Sequence, residues 1–295
     1  MPKPCLTISS TLPGALALIV AATSAPAIAQ DETVETNYPS TEKSVFERDN
    51  FSIGVGGVAL PDYEGSDDYR VTPFPIIRGR VGGVDINPRQ AGIALDFLTA
   101  KRGAKLDFMA GPMVSLKLDR SRNVKDPVVK ATGKLDTAIE TGATVGLKVN
   151  RVLHKFDSIS FSADVKWDVS GAYKGMVWRP QVTYLTPVSK GMIVALQASA
   201  RHVDDNYAEY YYSVTPEQNL ASGLPQFSAK GGWDKVNFGA IVTYDLSGNA
   251  LDGGWAVFGI ANYAKMLGDG KDTPFTSIRG DDTQLLGGIG IGYTF

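Results

Sequence analysis

The chain has 295 residues, a formal net charge of -2 and 43% hydrophobic residues. This charge balance excludes a basic nucleic-acid binder, because phosphate binding needs a positively charged surface. The 12 Tyr, 12 Phe, 4 Trp and 32 Gly exclude a disordered chain, since disordered chains are poor in aromatic residues. After the N-terminal segment no run of 18 uncharged apolar residues occurs, which excludes a helical membrane protein.

The N-terminal segment has the pattern of a secretory signal. Lys3 supplies the positive charge, residues 14–22 form an apolar run, and residues 27–29 (Ala-Ile-Ala) fit the small-residue cleavage rule. We therefore expect residues 1–29 to be removed near Ala29. An uncleaved anchor is disfavoured, because the apolar run is far shorter than the ~20 residues that span a bilayer. Cys5 would leave with the leader, so that the exported chain offers neither a disulfide nor a thiolate.

Residues 30–50 are polar and acidic, with six Asp or Glu against two Lys or Arg. Such a segment has too few large apolar residues to fold by itself. We expect a flexible periplasmic segment at 30–50 and a single folded domain at 51–295.

The folded domain is patterned with a period of two. Between residues 106 and 118 the even positions are mainly apolar, while the odd positions include Asp107, Ser115 and Lys117. Residues 139–149, 159–169 and 236–246 repeat this pattern, which predicts strands. The strands are longer than those of soluble sandwiches and match tilted membrane-spanning strands. A soluble barrel with an apolar interior would share the period, so periodicity alone leaves both folds open.

The C-terminal strand favours the membrane barrel. Its last apolar positions, Ile291, Tyr293 and the terminal Phe295, resemble the signal by which outer-membrane barrels engage their assembly machinery. The alternate positions Gly288, Gly290 and Gly292 are small, as a crowded lumen requires. The glycine spacing fits neither a P-loop nor a dinucleotide fingerprint. We therefore predict a transmembrane β-barrel whose outer face contacts outer-membrane lipid.

Reading backwards from the C-terminus gives an all-β, closed antiparallel barrel of about 12 strands, an even number as in single-chain bacterial barrels. The predicted strands are 51–60, 70–80, 83–87, 91–98, 105–118, 137–150, 157–169, 175–186, 191–212, 235–246, 254–266 and 284–295. Ten and fourteen strands stay open, since the segment 70–98 could be miscounted by one hairpin. Short turns face the periplasm, and the long loops 61–69, 119–136, 213–234 and 267–283 face outward.

Two prolines mark one seam of the predicted wall. Pro73 and Pro75 share one parity, so both lack an N–H toward the same neighbouring strand. The seam should be loose there, either as a bulge without function or as a lateral opening.

Chemistry-bearing residues give weaker signals. Both signs of charge fall on predicted lumen positions, either as a filled network or as the lining of a narrow pore. These lumen charges are Glu140, Lys148, Asp164, Lys166, Asp168 and Arg179. His154 and His202 fall at opposite ends of the barrel and cannot share a metal, and no HExxH motif occurs. We predict a protein without catalysis, metal or cofactor.

An acidic cluster occupies the first external loop. Asp62, Glu64, Asp67 and Asp68 lie close together, with Ser66 between them. Hard cations prefer such carboxylates, but the spacing is not that of an EF-hand. A solvated external loop is the favoured interpretation over a calcium site.

Several loop segments resemble the MipA/OmpV family, the MltA-interacting proteins. They are PDYEGSDDYR at 61–70, VTPEQ at 214–218, ASGLP at 221–225 and LGD at 267–269. The family-motif residues are Asp62, Tyr63, Glu64, Gly65, Ser66, Asp67, Asp68, Tyr69, Gly223, Leu224 and Pro225. The resemblance covers roughly residues 51–295.

The resemblance implies an outer-membrane barrel that holds a murein lytic transglycosylase and a penicillin-binding synthase together. Other members of the family are linked to osmotic response, adhesion or antibiotic susceptibility. The motifs fall on predicted external loops and so do not locate a periplasmic partner site. A small-solute channel and an adhesin acting through loops 119–136 and 213–234 remain the alternatives.

Overall fold

The computed structural model describes residue 45, residues 49–98 and residues 103–295. The expected leader at 1–29 and nearly all of the acidic segment at 30–50 lie outside these residues. The strands are β1 (Asn50–Pro61), β2 (Tyr69–Val81), β3 (Val84–Arg89), β4 (Gly92–Asp96), β5 (Leu106–Lys117), β6 (Ala138–Asn150), β7 (Ser158–Asp168), β8 (Met176–Pro187), β9 (Met192–Val203), β10 (Gly232–Asp245), β11 (Gly254–Met266) and β12 (Thr283–Thr294).

These twelve strands form one closed antiparallel barrel. Each strand pairs with its neighbours in sequence, and β12 pairs back onto β1, with Ser52 opposite Thr294. The predicted barrel and its strand number are confirmed, and the alternatives of ten and fourteen strands are wrong. The uncertain segment 70–98 contains one short hairpin, β3–β4, as predicted.

The two ends of the barrel differ in their connections. A two-residue turn, Gly82–Gly83, joins β2 to β3 at the end where β12 finishes, whereas 28 residues, 204–231, join β9 to β10 at the other end. Single-chain membrane barrels place short turns in the periplasm and long loops outside. We therefore name the two ends the periplasmic end and the external end.

Strand β12 shows how the alternation fixes the two faces. Leu285 and Ile289 are 59% and 76% exposed on the outer face. Gly288 and Gly290 lie on either side of Ile289 in sequence and face inward. An apolar outer band that contacts lipid, together with small inward residues, is the pattern of a transmembrane barrel.

The inward glycines of β1 and β12 make room for two phenylalanines. A Cβ on Gly290 would lie 2.2 Å from Phe258 Cζ, and one on Gly56 would lie 2.9 Å from Phe74 Cε1. The Phe74 and Phe258 rings meet edge-on with centroids 6.1 Å apart. This side of the lumen is filled by the two phenylalanine rings, which pack directly against the backbone of the glycines.

The seam between β2 and β3 is short. β2 pairs with β1 from Tyr69 to Arg80, but its pairing with β3 in the described chain covers only Gly79 to Val81. Pro73 and Pro75 therefore lie on a stretch whose second edge has no strand partner in the described barrel. Proline fits there, because it has no N–H to contribute to a ladder. The loose seam expected from these prolines is present as a notch in the external half of the wall.

The loop that follows β5 covers part of this notch. Lys125 Nζ donates to the carbonyl of Tyr69 at 2.5 Å, and Arg70 Nη2 donates to the carbonyl of Asn123 at 2.9 Å. The external end of β2 therefore forms hydrogen bonds with the loop between β5 and α1, at a place where the described barrel offers no neighbouring strand.

Five short helices lie at the external end of the described barrel. They are α1 (Pro127–Ala131), α2 (Asp205–Tyr212), α3 (Pro216–Ser222), α4 (Gly268–Asp272) and α5 (Pro274–Ser277). Four of them fall in segments that the sequence predicted only as loops, and α2 falls in a segment predicted as strand. No helix in the described part of the chain is both long and apolar enough to cross a bilayer.

The predicted strand 191–212 is wrong beyond residue 203. Strand β9 ends at Val203, and α2 follows at once. The Asp204 carboxylate accepts a hydrogen bond from the Tyr207 N–H at 2.9 Å and so caps the helix. Tyr207 and Tyr211, four residues apart, lie on one helical face, which a period-two reading cannot detect.

Replacing Gly290 by Ala should destabilise the barrel by about 1–3 kcal/mol, because the new methyl overpacks against Phe258 and the carbonyl of Val55. The measurement is urea unfolding followed by the heat-modifiable shift on a denaturing gel. Gly287→Ala is the matched control, since nothing lies within 4 Å of its Cβ position. Equal stability of the two variants would contradict the filled lumen described above.

Candidate functional site

The external mouth of the barrel is filled by packed loop side chains. One cluster lies on α2 and the strand ends and contains the buried residues Ala138, Tyr173, Val177, Val203, Tyr207, Ala208, Tyr211, Tyr212, Ala229 and Met266. A second cluster joins the first external loop to α1, α5 and the segments on either side of α3, and contains Tyr63, Val124, Val129, Val214, Leu224 and Phe275. We call these loops and helices the external cap.

Glu64 is the polar centre of the cap. Arg201 donates to both of its carboxylate oxygens, with Nη1–Oε1 at 2.9 Å and Nη2–Oε2 at 2.8 Å. Lys235 Nζ lies 3.0 Å from Oε1, and Lys117 Nζ lies 2.8 Å from Oε2. A two-pronged guanidinium contact and two ammonium contacts hold this loop carboxylate to the barrel wall.

Two tyrosines of α2 complete the environment of Glu64. The hydroxyls of Tyr207 and Tyr212 lie 3.2 and 3.3 Å from Oε2. Tyr212 also donates to Asp234 Oδ2 at 2.6 Å, and Arg201 Nη2 reaches the same oxygen at 2.6 Å. Three cations thus face two carboxylates, in a network that joins the first external loop, α2 and the strands β5, β9 and β10.

The strand alternation explains why the three cations meet. Lys117, Arg201 and Lys235 occupy inward positions at the external ends of β5, β9 and β10. Lys235 lies opposite Arg201 in the ladder between β9 and β10. The sequence analysis missed this site, although the parity of these three basic residues was the signal that could have found it.

The cation cluster keeps Glu64 ionised. Burial by itself raises the pKa of Glu64, but the charges of Arg201, Lys117 and Lys235, together with the Arg201 hydrogen bonds, outweigh burial and hold the pKa well below its usual value. The expectation that Glu64 belongs to a solvated loop is therefore wrong.

The other acidic side chains of the first external loop point in different directions in the structure. Asp62 is buried and pairs with Arg70, while its second oxygen accepts from the Lys125 N–H at 2.6 Å. Asp67 is exposed. Because these carboxylates point to different partners, the calcium alternative for this loop lacks the converging ligands it needs. Among the described residues no group of three or more His, Cys, Asp or Glu converges as a metal site.

The remaining motif residues of the first loop also serve the cap. The Tyr63 hydroxyl lies 2.9 Å from the carbonyl of Arg279. Gly65 has φ +94°, and a Cβ there would lie 2.1 Å from Thr276 Oγ1, so that only glycine fits. Ser66 pairs with Gly280 in an isolated bridge. The Tyr69 hydroxyl accepts from the Leu285 N–H at 3.0 Å.

The Gly223-Leu224-Pro225 motif ends α3. Gly223 adopts φ +75° at the C-cap, and its N–H donates to the carbonyl of Asn219. Leu224 is buried in the second cap cluster, whereas Pro225 is exposed. The two motif regions contact the same cluster, since Tyr63 and Leu224 both belong to it.

Lumen charges from the sequence analysis form ion pairs below the cap. Lys166 pairs with the buried Glu140. Arg179 and Arg89 share Asp164 at 3.0 and 3.2 Å.

The other two predicted lumen charges lie toward the ends of the barrel. Lys148 lies 3.4 Å from Asp107, on the periplasmic side of the lumen. Asp168 is at the external end of β7, where its carboxylate accepts backbone N–H bonds from Ser170, Tyr173 and Lys174. Asp168 therefore shapes an external turn.

The C-terminal aromatics and the histidines lie on the outer surface. Tyr293 contacts Trp255 and Phe295 with centroid distances of 5.2 and 4.8 Å at the periplasmic end. His154 Nε2 lies 2.8 Å from Thr186 Oγ1 at the same end. His202 lies on β9 at the external end, so the two histidines are far apart, as expected from the strand assignment.

The barrel and its motif-bearing cap match a known family. Residues 53–295 match the family model described as MltA-interacting protein MipA. The chain belongs to this family. Its resemblance to the MipA/OmpV family, based on the loop motifs, is thereby confirmed.

Two curated relatives carry the name MltA-interacting protein. The proteins of Escherichia coli (strain K12) and Shigella flexneri are each 25% identical to this MipA family member over 139 residues, which cover 47% of this chain and 47% of each relative. The matched stretch thus spans about half of each relative's length.

Two solved structures to which the chain is similar are a porin and a channel of low sequence identity. The NanC porin is 13% identical, with a TM-score of 0.45 over 82% of this chain and 98% of its own. An outer membrane channel from Pseudomonas putida F1 is also 13% identical, with a TM-score of 0.43 over 90% of this chain and 100% of its own.

Replacing Glu64 by Gln should loosen the cap, because three cations then lie together with one carboxylate fewer. Removing one partner of a buried ion pair costs about 3–5 kcal/mol. Amide hydrogen exchange in detergent should show faster exchange in α2 and in residues 62–68. Glu217→Gln, on the exposed side of α3, is the control. Unchanged exchange in the Glu64 variant would show that the cap does not depend on this carboxylate.

The protection of α2 from hydrogen exchange should depend on pH. Since the folded-state pKa of Glu64 is lowered, its contribution to cap stability is fully present above the usual glutamate value of 4.5 and is lost as pH falls through the lowered value. Protection of α2 that depends on Glu64 should therefore persist from pH 7 to pH 4.5 and fall at lower pH. Loss of this protection between pH 7 and pH 5 would contradict the assignment.

Proposed function

We propose that this MipA family member is a non-catalytic outer-membrane scaffold that binds a periplasmic murein lytic transglycosylase and brings it together with a penicillin-binding synthase. The name of its curated relatives, MltA-interacting protein, supports the first partner. The second partner comes from the family resemblance and not from the contacts of this chain.

The observation that carries this proposal is the external cap. Buried tyrosines and the Glu64 network occupy the external mouth, where an open channel would need a hydrated path. A barrel that is sealed on one side is suited to hold partners at its periplasmic end.

We also propose roles for individual residues and segments of the chain. Ile291, Tyr293 and Phe295 serve barrel assembly, and the motif residues of the first loop and of 223–225 serve closure of the cap. Residues 1–29 are the removed leader, residues 30–50 are a periplasmic segment, and the barrel begins near residue 51.

A second candidate is a small-solute channel. It is favoured by the lumen charges, in which Arg89 and Arg179 share the single carboxylate of Asp164 and leave an excess of positive charge. Conduction through such a lumen would require the cap to open. Single-channel recording separates the two functions, because a sealed scaffold gives no steady conductance steps.

The scaffold is tested by binding of a purified lytic transglycosylase of the MltA type to the barrel in lipid nanodiscs. We expect saturable binding with a Kd below about 10 μM, the range of specific transient complexes. A nanodisc with an unrelated barrel is the control for contact with lipid. If a catalytically active transglycosylase does not bind and the barrel shows steady conductance in planar bilayers, the scaffold function is wrong and the channel function is supported.

A further inference from the structure

The turn between β6 and β7 projects an apolar surface from the periplasmic end. All six residues 151–156 are exposed, and Leu153 is 78% exposed. Val152 and Phe156, on either side of it, are 41% and 50% exposed. We call residues 151–156 the periplasmic knob. Exposed apolar side chains clustered on one turn commonly mark an interaction surface.

The knob is an ordered turn. The buried carboxylate of Asp157 accepts hydrogen bonds from the N–H groups of Val152 and Leu153 at 2.7 and 2.9 Å. Tyr184 of β8 donates its hydroxyl to the same carboxylate at 3.0 Å. A preorganised surface loses little conformational entropy on binding, so more of its contact energy remains as affinity.

Neighbouring elements hold the knob from both sides. His154 Nε2 lies 2.8 Å from Thr186 Oγ1 at the end of β8. Arg151 Nη2 donates to the carbonyl of Gly103 at 2.7 Å, in the connection that precedes β5. The knob therefore keeps a fixed position relative to the barrel.

The charge around the knob is positive. Lys105, Arg151 and Lys155 form no ion pair with a carboxylate of the described chain, and Lys105 instead contacts the carbonyl of Arg151. The nearest acid, Asp157, is buried beneath its own turn and fully engaged. The surface thus combines an apolar centre with a cationic rim and complements an apolar pocket bordered by carboxylates.

The position of Tyr184 favours a protein partner over lipid. Tyrosines at the rim of a membrane barrel mark the interface, with the ring toward hydrocarbon and the hydroxyl toward water. The Tyr184 hydroxyl points to Asp157, and Tyr184 pairs with Ile159, the second residue of β7. The knob lies beyond this interface, on the aqueous side.

We propose that the periplasmic knob is the docking surface for the lytic transglycosylase, whose complementary face is an apolar pocket with a carboxylate rim. This proposal rests on the proposed scaffold function and assigns it to residues 151–156.

The test is binding of a purified MltA-type lytic transglycosylase to nanodisc-embedded barrels. The double variant Leu153→Ser, Phe156→Ser should bind at least about tenfold more weakly than the natural chain, since two apolar contacts are lost. Leu220→Ser is the matched control, because Leu220 is 87% exposed on α3 at the opposite end. An intact heat-modifiable shift shows that each variant is folded.

A charge variant gives a second readout. Lys155→Glu should weaken binding severalfold at low salt, and the difference should shrink at high salt because exposed charges are screened. Lys174→Glu, an exposed lysine at the external end, should leave binding unchanged.

A fluorophore at position 153 tests the lipid alternative. Leu153→Cys labelled with an environment-sensitive dye should report water in nanodiscs alone and an apolar environment after the enzyme is added. An apolar signal without enzyme, quenched by lipid-borne quenchers, would assign the knob to the membrane and overturn the proposal.

Failure of the knob assignment can be distinguished from failure of the scaffold function. If the natural chain binds the enzyme and the knob variants bind equally well, the knob assignment is wrong while the scaffold function stands. If the natural chain does not bind the enzyme, the scaffold function fails and the knob assignment fails with it.

Discussion

The structure depends on one requirement, that every backbone N–H and C=O within hydrocarbon must find a partner inside the protein. Twelve strands satisfy it by closing the sheet, with β12 paired to β1. The departure in the described barrel is the stretch of β2 that contains Pro73 and Pro75, which is not paired with β3. Proline has no N–H and so needs no acceptor on that edge. Covering this edge with Lys125 and Asn123 connects barrel closure to the external loops.

Closure creates an interior that must be filled and electrically balanced. On the β1–β12 side the space is filled by Phe74 and Phe258 lying on glycines. On the opposite side it is occupied by ion pairs such as Lys166 with Glu140. At the external mouth three cations of the wall face inward, and Glu64 from the first loop supplies the carboxylate that they share. The cap is thus bound to the barrel by the charges that the wall presents.

Much of the barrel was predictable, because strands in a membrane wall alternate with a strict period. Eleven of the twelve predicted strands agree with the structure to within a few residues, the exception being 191–212. There the helix of 205–212 depends on the Asp204 cap and on tyrosines packed across the mouth, and neither has a period-two signal. Local capping and tertiary packing override the continuation of a strand pattern.

The cap site was less predictable, because its contacts are distant in sequence. Glu64 is 137 residues from Arg201 and 171 residues from Lys235. An acid within a polar motif looks solvated until the fold places it among cations. The family motif marked the correct loop, but the partners of Glu64 follow only from strand register. Once the strands are aligned, the inward parity of Lys117, Arg201 and Lys235 gives the cluster.

We conclude that the barrel spans the membrane with its external mouth closed by the Glu64-centred cap. The closure can be measured by labelling a cysteine placed beneath the cap, Ser199→Cys on β9, with a membrane-impermeant maleimide from the external side. Labelling at position 199 should be negligible, while Leu220→Cys on the exposed face of α3 should react rapidly. Equal labelling rates at the two positions would show that the external mouth is open and not sealed by the cap.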